Sequence, residues 1–312
     1  ISDKNIMASA KDATTCIIDC DGLVVKDFTP AQVYGTPKFM APEIEDGNGM
    51  PTIATDRHSL AVLIYQLFFL RHPLEGPKVH DPDPAMDDKL AFGSKAQYIE
   101  HPTDRSNRPV SLPFSTEMLT PSVKKLFDTA FVTGLHSPAQ RPQPMLWESA
   151  LLRMNDRLVN CSNPNCPMKS FVLPYFANPV CPWCKTPLRT GAGAIPVLDL
   201  FRPAGTRPGN YVPDNWSIAG TPGRQIYLYH ADANESPRHG VTPKSVAHLE
   251  TTGAGTWYLV NEGLDDAKTA SQGSYSSFGK GDKVELRSNL KIILGAGEQS
   301  RVATVQLVPT HK

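Results

Sequence analysis

The sequence has no long hydrophobic run. Its longest apolar stretch, residues 60–70, is eleven residues and is interrupted by Gln66. Spanning a bilayer takes roughly 18–20, so a buried core helix is expected there and a membrane partner is not. There is no excess of either charge, with Lys+Arg and Asp+Glu at 31 each. That removes any global electrostatic argument for nucleic acid, which is not expected as a partner, although a local basic patch stays open. There is no internal repeat and no basic-then-apolar leader. The chain starts on Ile1 without an initiating Met, so it is expected to begin inside a longer protein. Cysteine is scarce and uneven: of six, four fall within 24 positions. A disulfide framework would spread them, so a reducing, cytoplasmic compartment and one metal site are expected.

What is present suffices for real cores: 40% hydrophobic and 20% charged residues over 312 positions, enough for two or three domains. Composition changes twice, giving expected domains at 1–157, 158–190 and 195–312. The first mixes short strands with strong helical segments. A β-rich run covers 14–18, and Cys20 just after it reads as a small buried hydrophobe. Residues 56–70 predict a buried helix with Leu60, Leu63, Ile64, Leu67 and Phe68 on one face. Further helices are predicted at 121–133, with Thr120 as N-cap and Pro121 at its first position, and at 144–158. Residues 72–113 predict a long loop with a short helical piece. The last part predicts six short strands (225–229, 247–250, 256–260, 283–286, 291–294 and 303–308) in an antiparallel sandwich or barrel.

The middle part carries Cys161-x4-Cys166 and Cys181-x2-Cys184, with Pro164, Pro167 and Pro182 stiffening the turns. Four thiolates at such spacing select zinc in a closed tetrahedral site that stabilises the fold and has no open position for catalysis. An iron–sulfur cluster or a rubredoxin-like iron site is the alternative metal, and two disulfides the alternative pairing. Phe171, Tyr175, Phe176 and Trp183 are expected to fill the ribbon's small core or contact its neighbours.

The run Tyr34-Gly-Thr-Pro-Lys-Phe-Met-Ala-Pro-Glu43 resembles the end of a protein-kinase activation segment, with Ala41, Pro42 and Glu43 as the family's Ala-Pro-Glu. Three more matches fall in order. Asn5 resembles the close of the catalytic loop, and Asp19, fourteen residues on, stands where the family has its magnesium-binding Asp. The sequence reads Asp19-Cys20-Asp21-Gly22 there in place of Asp-Phe-Gly, which leaves Asp21 as the alternative ligand. Asp56-Arg-His-Ser-Leu resembles the start of the central C-lobe helix, and Ser137-Pro-Ala-Gln-Arg141-Pro resembles Pro-x-x-Arg-Pro. The resemblance is to eukaryotic-type Ser/Thr kinases, and it implies several roles. Asn5 with Asp19 or Asp21 would hold Mg2+ against ATP. Thr36 and Lys38 would lie at the hydroxyl-bearing protein substrate, Asp56 would bond the catalytic-loop backbone, and Glu43 and Arg141 would form a buried ion pair. The chain contains no glycine-rich loop, nucleotide-anchoring Lys, partner Glu or catalytic Asp, so on its own it is expected to be inactive.

In the last part, Trp257–Asn261, the segments 278–286 and 290–295, and Ser245-Val-Ala-His248 are similar to forkhead-associated domains. Those are β-sandwiches that bind phosphothreonine peptides. Their early Gly-Arg element has only Gly223-Arg224 as a counterpart here. The order of parts resembles bacterial kinases of the tellurite-resistance-associated triad, which implies a von Willebrand A-domain protein and a phosphatase as partners. The expected fold class is therefore multidomain α+β: a mainly helical kinase C-lobe, a four-Cys zinc ribbon and an antiparallel β-sandwich. The alternative to an enzyme is a pseudokinase scaffold or phosphopeptide-binding module.

Overall fold

The computed structural model describes all residues except 10, 12–13, 21–23, 25–33, 206–208, 239, 253–254, 272 and 312. Asp21 and Gly22 lie outside the described residues. The chain mixes helices with antiparallel sheets and is not mainly helical; long irregular segments separate the helices of its first part. Among the described residues no helix is long and apolar enough to cross a membrane. Two compact units emerge, Ile1–Leu151 and Leu152–Lys312.

In the first unit, β1 (Ile6–Ala8) and β2 (Thr15–Ile17) pair antiparallel with Ile6 opposite Ile17. Among the described residues β2 pairs on one side only and is exposed along its length. Cys16 within it is therefore exposed; Cys20, beyond the strand, is exposed as well, and the expectation of a buried Cys20 fails. A short helix, α1 (Pro42–Glu45), precedes the long α2 (Ile53–Phe69). α2 starts three residues before the sequence reading because Thr52 caps it. Thr52 Oγ1 accepts from Ala54 N at 3.2 Å, and Thr55 Oγ1 accepts from Thr52 N at 2.9 Å. Ala61 through Tyr65 are buried in succession, as a nearly all-round apolar helix requires. Leu67, expected on the buried face, is instead 79% exposed.

Then come α3 (Pro84–Ala91), α4 (Pro121–Asp128) and α5 (Pro144–Asn155). Thr120 and Pro121 start α4 as expected, but after Asp128 the helix widens into a π turn, Thr129–Thr133. An aromatic cluster joins these pieces. Tyr65 meets Phe127 edge-on at 5.3 Å, and Phe127 meets Trp147 at 4.8 Å.

The boundary between units falls inside α5, not at 157. In the second unit the end of that helix is a hub: Asp156, 4% exposed, accepts from Trp216 Nε1 at 2.7 Å and His230 Nε2 at 3.0 Å. The hairpin β3 (Leu158–Asn160) and β4 (Ser170–Val172) begins the ribbon. The ribbon's Val159, Phe171, Leu173 and Leu188 share one buried core with Ile195, Val197 and Ala219 of the strands that follow.

Those strands form two antiparallel sheets. They are β5 (Ala194–Pro203), β6 (Tyr211–Ala219), β7 (Gln225–Tyr227), β8 (Ser245–Thr251), β9 (Trp257–Asn261), β10 (Lys268–Ser271), β11 (Ser274–Ser277), β12 (Lys283–Glu285), β13 (Lys291–Ile293) and β14 (Val302–Pro309). One sheet runs β11-β10-β13-β14-β5-β6 and the other β12-β9-β8-β7. Leu198, Trp216 and Ile218 of the first share a core with Ile226, Val246, Leu249 and Leu259 of the second. Residues 228–229, expected to continue a strand, open a helical turn, α6 (Leu228–Ala231).

Candidate functional site

Two expected magnesium ligands come together. The β1–β2 hairpin brings the chain back on itself, and Ile18 N donates to Asn5 O at 2.8 Å. Asp19, at φ 57°, then turns its carboxylate to within 3.4 Å of Asn5 Nδ2. On the other side Asn5 Oδ1 accepts from Ser2 Oγ at 2.6 Å, and Ser2 is fully buried. A hydroxyl can donate or accept, so turning the amide over keeps the Ser2 bond and points Oδ1 at Asp19. Mg2+ takes oxygens at about 2.0–2.1 Å, which sets neighbouring ligand oxygens about 3 Å apart. As placed, the two side chains are joined by an amide-to-carboxylate hydrogen bond, Asn5 Nδ2 donating to Asp19 Oδ2.

The segment leading to Glu43 is held from several elements. Phe39 N donates to Thr36 O at 3.0 Å, closing a turn with Pro37 second and Lys38 third at φ 73°. That place in a turn favours glycine. Lys38 is kept there by His72, whose Nε2–H donates to Lys38 O at 2.8 Å while its Nδ1 accepts from Leu74 N at 3.2 Å. Lys38 Nζ reaches Glu75 Oε1 at 2.7 Å, and buried Ser59 donates to Phe39 O at 2.8 Å. Sequence spacing gave no signal for His72 or Glu75, because their contacts cross more than thirty positions. Burial pulls the His72 imidazole down to about 4, against the opposing pull of Lys38 O and Glu75. His58, beside Phe131, is driven well below its ordinary value, first by burial and then by the charge of Arg141.

Glu43 and Arg141 form a two-pronged pair, Nη1 to Oε1 and Nη2 to Oε2, both 2.7 Å. Arg141 gives its remaining donors to Gly134 O, Ala54 O and Leu135 O at 2.9, 3.0 and 3.1 Å, so this buried guanidinium is satisfied on all sides. Burial works to raise the Glu43 carboxyl, but the Arg141 bonds and charge outweigh it and hold it below the usual range. Asp56 lies on the exposed start of α2, where its Oδ1 accepts from the Ile1 nitrogen at 3.4 Å.

The four ribbon thiols converge, all within 4.8 Å of one another. Cys161 and Cys184 sulfurs are 3.5 Å apart and those of Cys166 and Cys181 3.9 Å, too far for disulfides. Tetrahedral zinc with bonds of about 2.3 Å sets sulfurs about 3.8 Å apart. The four cysteines thus form a cluster that could hold a metal ion, with dimensions compatible with structural zinc. Hydrogen bonding with the side chain and backbone of Thr186 brings the Cys184 thiol down to about 6, whereas burial pushes Cys161 up to about 12.

In the sandwich, Ser245 and His248 meet on one acidic side chain. Ser245 Oγ donates to Glu262 Oε2 at 2.7 Å, and His248 Nδ1 lies 2.8 Å from Glu262 Oε1. The Ser245 hydrogen bond, with help from His248, holds the Glu262 carboxyl below its usual range. Arg224 turns elsewhere, donating to Leu158 O at 2.6 Å. No protein-family model matches the chain, and no curated protein matches it either.

Proposed function

We propose that this chain carries the C-terminal lobe of a Ser/Thr protein kinase, followed by a structural zinc ribbon and a forkhead-associated-like sandwich. What supports the reading most is the meeting of motifs far apart in sequence. Asn5 and Asp19 meet at hydrogen-bond distance, and Glu43 and Arg141, 98 residues apart, close into a fully bonded pair. In the whole protein, Mg2+-bound ATP would supply the γ-phosphoryl group and neutralise its charge. Asn5 and Asp19 would orient it, the Thr36–Phe39 turn would present a protein hydroxyl, and the Glu43–Arg141 pair would keep that turn fixed to the lobe. The protein would work in the reducing cytoplasm, with a von Willebrand A-domain protein and a phosphatase as partners.

The scaffold reading is the second, and Glu262 bears on it. A carboxylate already bonded to Ser245 and His248 puts negative charge where a phosphopeptide's phosphate would have to bind. The sandwich is better suited to contact with an unphosphorylated protein surface.

Manganese, a magnetic stand-in for magnesium, tests the site in the natural full-length protein with ATP. Water-proton relaxation should report one tight Mn2+–ATP complex, weakened at least tenfold by Asp19→Ala. Folded protein that binds no Mn2+–ATP would leave the scaffold reading standing alone.

A further inference from the structure

The ribbon carries a feature that a structural metal site does not need. Residues 158–198 contain no Asp or Glu, whereas 31 acids in 312 residues would put about four in a stretch of that length. The same stretch holds Lys169, Lys185 and Arg189, and Arg157 immediately precedes it. Lys169 and Lys185 each give one bond to a carbonyl of the neighbouring turn, Pro164 O and Pro182 O, both at 2.8 Å. Neither ammonium pairs with a carboxylate among the described residues.

Two aromatic rings stand out of this cationic surface. Tyr175 is 62% exposed and Phe176 64%, so neither fills the ribbon's core, one of the two places expected for them. Tyr175 is not loose. The Arg157 guanidinium covers one face of its ring at 3.9 Å. Arg157 is in turn fixed by Leu173 O, at 3.1 Å from Nε and 3.0 Å from Nη2, and by Pro174 O at 3.2 Å. The carboxylate of Asp199 acts on Arg157 through space, but the guanidinium forms no ion pair with it among the described residues. With 62% of its surface exposed, the ring still presents most of its area to solvent. A rigid ring backed by a guanidinium, with Phe176 next to it and uncompensated lysines on the same small ribbon, combines a stacking platform with an anion-attracting field.

We propose that the ribbon is a binding face for single-stranded nucleic acid, with a base stacked on the exposed ring of Tyr175 and the backbone phosphates drawn by Lys169 and Lys185. The chain's zero net charge hides this surface, because its acids are concentrated outside residues 158–198. A base suits the site better than an acidic side chain, since only a planar ring stacks on Tyr175. The inference is independent of the kinase reading.

The test is fluorescence anisotropy of a labelled fifteen-residue oligo(dT) against the zinc-loaded full chain, with labelled polyglutamate as a second probe. Binding that falls steeply with salt is expected. Tyr175→Ala should weaken it about 5- to 150-fold, as loss of one stacked base does. Tyr175→Phe should stay near the parent, and Lys169→Gln with Lys185→Gln should flatten the salt dependence. Tyr175 is exposed, so its variants keep the fold, which a circular dichroism melt checks. No oligo(dT) binding at low salt, or equal binding by Tyr175→Ala, would overturn the proposal. Polyglutamate binding as tight as oligo(dT) would also overturn it and make the surface one for acidic proteins.

Discussion

Arg141 and Glu43 are the pair on which the first unit most visibly depends. The Arg141 side chain is fully buried and that of Glu43 is 25% exposed, so losing Glu43 strands the more buried charge. Glu43→Ala should cost about 3–5 kcal/mol, the range for breaking a buried pair, with solvent access favouring the lower end. Urea unfolding followed by Trp147 fluorescence measures it, and a cost below about 1 kcal/mol would contradict this account of the pair.

The buried histidines give a pH dependence of definite sign. His58 and His72 are both pushed down by burial, His72 to about 4. Once unfolded they bind protons near the ordinary value of about 6.5, so the unfolded state holds more protons between those limits. Stability is therefore complete above about pH 6.5 and falls as pH drops towards 4, by up to about 1.4 kcal/mol per pH unit for each histidine. Thermal melts across pH 4–7 should show the loss, and His72→Gln should flatten it.

At the scale of elements, the four-cysteine cluster sits at the centre of the ribbon and would hold a structural metal there. Cys166 and Cys181 are fully buried in the core that Val159, Phe171 and Leu173 share with β5 and β6. Removing the metal leaves four thiols around an empty centre and loosens that core. Cys166→Ser should lower the bound zinc from one equivalent to near zero and lower the second unit's melting temperature. Metal analysis with calorimetry checks both. An unchanged melt after zinc loss would show that the core holds the ribbon without its metal.

Legibility also differed by element. The thiol pairs were readable because their spacing alone sets a knuckle, and α2 and α4 because their apolar content and Thr-Pro start are local signals. β5 and β6, the longest strands, were not read at all. β5 is an interior strand whose run Ile195-Pro-Val-Leu lacks alternation and carries Pro196. β6 carries Pro213 and lies at a sheet edge, where a missing N–H is tolerated, and its own extra residues, Asp214 and Asn215, bulge opposite Leu200 and Phe201 and shift the register. β10 and β11 are polar and half or fully exposed, so no hydrophobic period marked them. The convergence of Glu43 with Arg141 is implied by the resemblance to kinase motifs, whereas no local pattern marks the anchoring of Lys38 by His72 across 34 positions.

For the whole molecule, the chain forms two compact units, and within the second the ribbon and the sandwich share a core while Asp156 accepts from Trp216 and His230. The central claim is phosphoryl transfer by the protein that contains this chain. Its most direct measurement is transfer from γ-labelled ATP to protein hydroxyls by the natural full-length protein with Mg2+, compared with Asp19→Ala. The account predicts label on Ser or Thr from the parent and at least a hundredfold less from the variant. No transfer by folded, zinc-loaded protein offered its partners, or equal transfer by Asp19→Ala, would contradict it.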